Sequence, residues 1–472
     1  MSDLKTQLAV IGGGPGGYAA AFMAADLGLE VTLIDVEDNP GGTCLFRGCI
    51  PSKALLHVAK LINETREASH FGLTFDEPKI DLDRVRQSTK DVVSQMTGGL
   101  GQLCKSRNVK FVKGRAFFED NKTLTIYEDD VTEETLEFEH AIIAAGSRPA
   151  MFGPLIDSPR IMNSTGALEM KEIPETMLVI GGGYIGLELG SVYAAFGSEV
   201  TVVEAMDGLL MGADRDLVRP LETRLRDKFH DILLSTKVME MKEQKNGMKV
   251  TLEGPDGKSK SRIFDKVLVC VGRKPNATGL GLKNTKVEMD DHGFIKVDEQ
   301  CRTTDPTIFA IGDIVGGLML AHKATAEGRV AAEVISGRDV AFEPQAIPAV
   351  IFTDPELAWT GITEDEAKAS GRNVHVARFP WAASGRATTF NRTEGLTKMI
   401  TDADTHQILG VGIVGHGAGE LIAEGTLAIE MGATASDLEL TIHPHPTLSE
   451  TVMDAAASVF GTATYIYRPK KK

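Results

Sequence analysis

The sequence predicts an α/β protein with two dinucleotide-binding units, and three observations lead there. Residues Leu8 to Ile11 form an apolar run, followed by Gly12, Gly14 and Gly17 and an Ala-rich helical stretch from Tyr18 to Leu27. The arrangement returns downstream, where Met177 to Ile180 lead into Gly181, Gly183 and Gly186 and a helix through Phe196. In each copy a second apolar run, Val31 to Ile34 or Val200 to Val203, ends on an acid, Asp35 or Glu204. The first glycine precedes that acid by 23 residues both times.

Each element has a physical reason. A short apolar run bounded by turn residues suits a buried parallel strand. The glycines let the backbone approach a pyrophosphate at a helix N-terminus, and the acid can bond a ribose hydroxyl. One such motif is as readily an ordinary glycine-rich turn; two with matched strand, helix and acid spacing predict a pair of Rossmann-like units. Glu204 accepts from a free 2′-hydroxyl and repels a 2′-phosphate, and no arginine cluster follows in Ala205-Met206-Asp207-Gly208. The second unit is therefore expected to prefer NAD over NADP.

At 472 residues the chain has room for about two to four domains. Its 50 basic and 66 acidic residues give a net charge of −16, which opposes binding to nucleic acid or anionic membranes. No apolar run approaches a membrane span, and the start, MSDLKTQLAVIGGG, lacks a basic flank and cleavage site. A cytosolic protein is expected. Lys470, Lys471 and Lys472 read as a solvated tail.

Five cysteines are too sparse for a secreted disulfide framework. Cys44 and Cys49 stand close together in Gly41-Gly42-Thr43-Cys44-Leu45-Phe46-Arg47-Gly48-Cys49-Ile50-Pro51-Ser52-Lys53. Three readings are open: a reducible bridge, half of a zinc site, or two unreactive buried thiols. In a regular helix these positions are about 7.5 Å apart in rise alone, so a bridge requires distorted backbone, which Gly48 permits. Zinc wants four ligands, whereas Cys104, Cys270 and Cys301 are isolated and read as core residues. No metal is expected.

This cysteine segment, Tyr184-Ile185-Gly186-Leu187-Glu188, Thr303 to Asp313 and His443 to Glu450 together resemble the pyridine nucleotide-disulfide oxidoreductases. The resemblance covers essentially the whole chain and lies closest to the branch acting on dihydrolipoamide. It implies a redox-active Cys44–Cys49 disulfide, with FAD in the first unit. Gly12, Gly14, Gly17, Asp35, Thr43, Lys53, Gly114, Gly146, Asp313 and Ala321 are then expected at FAD. Gly181, Gly183, Ile185, Gly186, Glu204, Val238 and Gly272 are expected at NAD, and Lys53 is expected to pair with Glu188 beside the flavin. Read from residues, Ile308 to Asp313 is an apolar strand ending on a carboxylate or a capped helix start.

His443-Pro444-His445-Pro446-Thr447-Leu448-Ser449-Glu450 reads by itself as a rigid turn or satisfied core groups. The resemblance implies that His445 is the base that generates thiolate and that Glu450 orients it. Two positions depart from the lipoamide pattern: Tyr184 replaces an aliphatic residue and Pro444 an alanine. Cys44 is expected to be the accessible, substrate-facing thiol and Cys49 the one facing flavin.

The expected division is an FAD domain over 1–149, an NAD domain over 150–277, a central domain over 278–348 completing the FAD site, and a C-terminal α+β domain over 349–472. The resemblance makes the last a homodimer interface that sends His445 into the partner's site. It implies dihydrolipoamide on lipoyl domains as substrate, and as partners the acyltransferase cores of 2-oxoacid dehydrogenase complexes or the glycine cleavage carrier protein. Glutathione reductase is disfavoured by Glu204, and mercuric reductase by the lack of any cysteine after Cys301.

Overall fold

The computed structural model describes residues 4–128, 133–151 and 156–467; Lys470 to Lys472 lie outside them. In the first sheet, Leu4–Ile11 lies between Val31–Asp35 and Glu133–Ile143, parallel to both. Leu8 stands opposite Val31 and Ile11 opposite Ile34, so Gly12 and Asp35 emerge together at the carboxyl edge. That register turns a sequence interval into a site. The strand Ile308–Ala310 joins the same sheet from far downstream, parallel to Glu133–Ile143.

The first helix is Pro15–Asp26, starting three residues before the predicted Tyr18. Proline at the first turn is the reason, because its fixed φ suits the helix and its missing N–H is not needed there. Gly17 seats this helix against the sheet: a Cβ there would stand 1.8 Å from the Gly12 carbonyl oxygen. Gly186 does the same in the second unit, at 2.3 Å from the Gly181 carbonyl oxygen. The helix Ala321–Ile335 packs across the first helix, where a Cβ on Gly328 would meet the Gly16 carbonyl oxygen at 2.5 Å.

The second sheet is parallel, ordered Asp231–Leu233, Glu199–Val203, Thr176–Ile180, Lys266–Val269, Ile161–Asn163. Its core includes Val179, Leu187 and Val202, and extends to Leu55 of the cysteine helix and to Ile351 and Val414 of the C-terminal unit. The C-terminal sheet is antiparallel and includes Leu396–Asp402 and Ile408–Gly415, within the expected α+β unit. The expectation of two α/β units followed by an α+β unit therefore holds. Among the described residues no helix is long and apolar enough to cross a membrane.

A buried polar knot ties the second unit to the C-terminal one. Lys398, 1% exposed, places its Nζ 2.7 Å from Asp214 and 2.9 Å from Asp216, and also bonds Glu364. Arg378 pairs with Asp216 and Glu364 from the neighbouring strand. Burial disfavours the Lys398 charge, but the hydrogen bonds it donates to the three carboxylates outweigh that and hold the ammonium above its usual pKa.

Candidate active site

A cleft of about 680 Å³ runs along the carboxyl edge of the first sheet, from Gly12, Gly14 and Asp35 to Cys49, Lys53 and Asp313. Thr43, Gly114, Gly146, Ala321 and Ile185 also line it, so Ile185, expected at NAD, faces the first unit's cleft. Gly17 does not line it and acts through packing. Asp35 accepts from the N–H groups of Gly13 and Glu37. Burial raises its pKa, opposed by the Gly13 hydrogen bond and the Arg47 charge.

The second acid repeats this arrangement. Glu204 accepts from Gly182 N–H at 2.7 Å and from Met206 N–H at 2.8 Å. In neither unit does a side chain cap the glycine-rich helix, whose first N–H groups are left for an anion. Gly181, Gly183, Gly186, Glu204, Val238 and Gly272 do not line the large cleft. Gly272 lies at a positive-φ turn, and Val238 is half-buried against the second unit's core.

The cysteines straddle a helix break. Gly42–Arg47 ends before Gly48, and Cys49–Glu67 begins after it. A Cβ on Gly48 would meet the Thr43 carbonyl oxygen at 2.8 Å, so glycine is what permits the break. Both cysteines are free thiols, with Cys44 hydrogen-bonded to Cys49. That bond is the largest influence on either thiol: it lowers Cys49 to about 7, with Lys53 assisting against burial and Glu188, and it raises Cys44. Cys44 and Cys49 both line the cleft, Cys44 in the helix before the break and Cys49 at the start of the next.

Lys53 lies one helical turn beyond Cys49, and its Nζ meets Glu188 Oε2 at 2.8 Å, as expected. Glu188 is buried on the second unit's glycine-rich helix, so the pair spans both units. Asp313 follows a strand shorter than expected, Ile308–Ala310, because Gly312 at φ 78° turns the chain into a 3-10 helix. Ser147 donates its hydroxyl to Asp313, and Arg273 donates to the Ser147 hydroxyl at 2.6 Å. Sequence reasoning missed Ser147 and Arg273, although Arg273 directly follows the selected Gly272. Tyr184 also lines the cleft.

His445 and Glu450 form the expected pair, Nδ1 to Oε1 at 2.8 Å, and Thr447 N–H holds the other carboxylate oxygen. A second pair went unrecognised: His443 Nε2 meets Glu424 at 2.6 Å. Exposure distinguishes them, since the His445 side chain is 65% exposed and that of His443 5%. Neither His445 nor Glu450 lines the cleft holding Cys44 and Cys49.

A dithiol in a glycine-lined cleft of the first unit, closed by Tyr184 and Glu188 of the second, fits a disulfide oxidoreductase, and the chain belongs to the pyridine nucleotide-disulphide oxidoreductase family. Residues 6–328 match that family and residues 347–456 match its dimerisation domain. Among curated relatives, dihydrolipoyl dehydrogenase of Haemophilus influenzae is 50% identical, covering 100% of this chain and 98% of its own. The Vibrio cholerae protein of the same name is 48% identical, with 100% and 99% covered. Among solved structures, LpdA of Mycobacterium tuberculosis has a TM-score of 0.88 at 27% identity, covering 96% of this chain and 99% of its own. The HOCl-induced flavoprotein disulfide reductase RclA of Escherichia coli has a TM-score of 0.84 at 29% identity, with the same coverage.

Proposed function

We propose that this enzyme oxidises protein-bound dihydrolipoamide to lipoamide, with NAD+ as final acceptor, through FAD and the Cys44–Cys49 pair. The observation that carries the reading is the Cys44–Cys49 pair on either side of the Gly48 break, set in the first unit's cleft where Lys53 meets the second unit's Glu188. The dihydrolipoyl dehydrogenases, matched over nearly their full length, supply the substrate class. The cleft fits FAD: the uncapped helix would take the pyrophosphate, Asp35 the adenosine ribose, and Asp313 the ribitol, while Gly12, Gly14, Thr43, Gly114, Gly146 and Ala321 border the path. Gly181, Gly183, Glu204, Val238 and Gly272 would hold NAD.

When bound, FAD and NAD+ supply two-electron transfer, so that electrons from the dithiol leave as hydride on the nicotinamide. The chain's own residues manage sulfur and protons. His445, oriented by Glu450, takes the proton of a substrate thiol. The substrate thiolate attacks Cys44 of the disulfide form; the Cys44–Cys49 bond breaks and Cys49 leaves as thiolate. The second substrate thiol then attacks the mixed disulfide, releasing lipoamide and leaving Cys44 reduced. Lys53 stabilises the Cys49 charge.

His445 would serve the partner subunit of a homodimer, a reading supported by its standing outside the cleft's lining and by the dimerisation domain. The proposed domains are 1–149, 150–277, 278–348 and 349–472. A cytoplasmic setting among lipoyl-bearing acyltransferase cores, or with the glycine cleavage carrier protein, follows from the same reading. Purified protein should be yellow and oxidise NADH with lipoamide. Flavin-loaded dimer that reduces glutathione disulfide with NADPH but ignores lipoamide would overturn the assignment.

Coenzyme choice follows from Glu204. Glu204→Arg should shift the ratio of kcat/KM for NAD to that for NADP by about 10-fold or more towards NADP, by removing repulsion and adding a phosphate partner. An unchanged ratio excludes Glu204 as the selector.

A further inference from the structure

The Lys53–Glu188 pair has a third participant. Phe352 lies between the strands Ala349–Ile351 and Glu356–Gly361, inside the dimerisation domain. Its N–H donates to Glu188 Oε1 at 3.0 Å, while Glu188 Oε2 takes Lys53. Its ring also lies under the ammonium, with Lys53 Nζ 4.4 Å from the ring centroid. One residue therefore touches both halves of the ion pair. An aromatic face attracts a cation and shields it from water, more strongly where the cation is partly desolvated.

We propose that Phe352 is a positioning residue for the redox pair: its N–H fixes the Glu188 carboxylate, and its ring keeps the Lys53 ammonium beside Cys49. This rests on the roles proposed above for Lys53 and Cys49. The groups acting on Cys49 are Cys44, Lys53 and Glu188, and Tyr184 lines the same cleft. Lys53 is the cation among them and favours the thiolate; Glu188 opposes it. Any residue at 352 other than proline keeps the N–H for Glu188, so changing the side chain isolates the ring. Without the ring, Lys53 gains water and freedom, and Cys49 loses part of its counter-charge.

The test follows the long-wavelength thiolate–flavin absorption of two-electron-reduced, FAD-loaded dimer against pH. Phe352→Leu should raise the midpoint of that band by about half a pH unit, whereas Phe352→Tyr, which keeps the ring, should stay within about 0.2 unit of wild type. Lys53→Met should raise it further. Movement in Lys53→Met without movement in Phe352→Leu overturns the role of Phe352 and leaves that of Lys53 intact. Equal movement in the tyrosine and leucine variants overturns the ring's part. An unmoved Lys53→Met refutes the role given to Lys53, and the proposal with it. Should Phe352→Leu lose flavin, Phe352→Met is scored in its place.

Discussion

Cys44→Ser and His445→Ala, each nearly inactive when refolded alone, should recover about a quarter of wild-type lipoamide activity when unfolded and refolded together in equal amounts. His445 and Glu450 form a competent acid–base pair, yet neither lines the cleft that holds the cysteines. If His445 serves the other subunit, a mixed dimer has one site with both groups and one with neither. Random pairing makes about half the dimers mixed, and half of their sites are whole. Each variant by itself should lose about 100-fold or more, the usual contribution of a positioned base or an essential nucleophile. The assay is lipoamide reduction by NADH, after FAD content and dimer mass are confirmed. No recovery in the mixture would place His445 in the same subunit as its disulfide or outside the chemistry.

Lys398→Met should destabilise the fold by about 3–5 kcal/mol near neutral pH, because it leaves three buried or half-buried carboxylates with Arg378 as their remaining cation. The exposed pair Lys368–Asp365 makes the contrast, and Lys368→Ala should be indistinguishable from wild type. Acid should narrow the gap between Lys398→Met and wild type. Burial raises the Asp216 pKa, but hydrogen bonds from Arg378 and Lys398 prevail and hold it below the usual value. A depressed folded pKa adds stability above the unfolded value of about 3.9, and that stability is lost as pH falls through the lower folded value. Thermal unfolding at pH 7 and below pH 4 measures both effects. A loss under about 1 kcal/mol at pH 7 would show that the knot relaxes without its lysine.

What could be read from the sequence was what local sterics dictate. The glycine motifs and their acids were legible because the Gly12–Gly17 and Gly181–Gly186 approaches tolerate no side chain. The start of the first helix at Pro15 was missed because the Ala-rich run by which the helix was read begins only at Tyr18. The Gly48 break followed from what a bridge between Cys44 and Cys49 demands of the backbone. Illegible were partnerships made across the fold: Ser147 with Asp313, His443 with Glu424, Phe352 with both Lys53 and Glu188. None leaves a local periodicity or spacing to read.

The strand Ile308–Ala310 and the helix Ala321–Ile335 also fix an order of assembly on the ribosome. The first dinucleotide unit opens the chain, yet its sheet lacks a member until residue 310 has emerged, and its first helix lacks a cover until residue 335. The second unit's sheet is complete by Val269. At about 5–20 residues per second, the wait from Ile143 to Ala310 is about 10–30 s. The unit that begins synthesis second is therefore the first able to close, and the N-terminal Gly12–Asp35 edge spends that interval tethered beside it, unfinished.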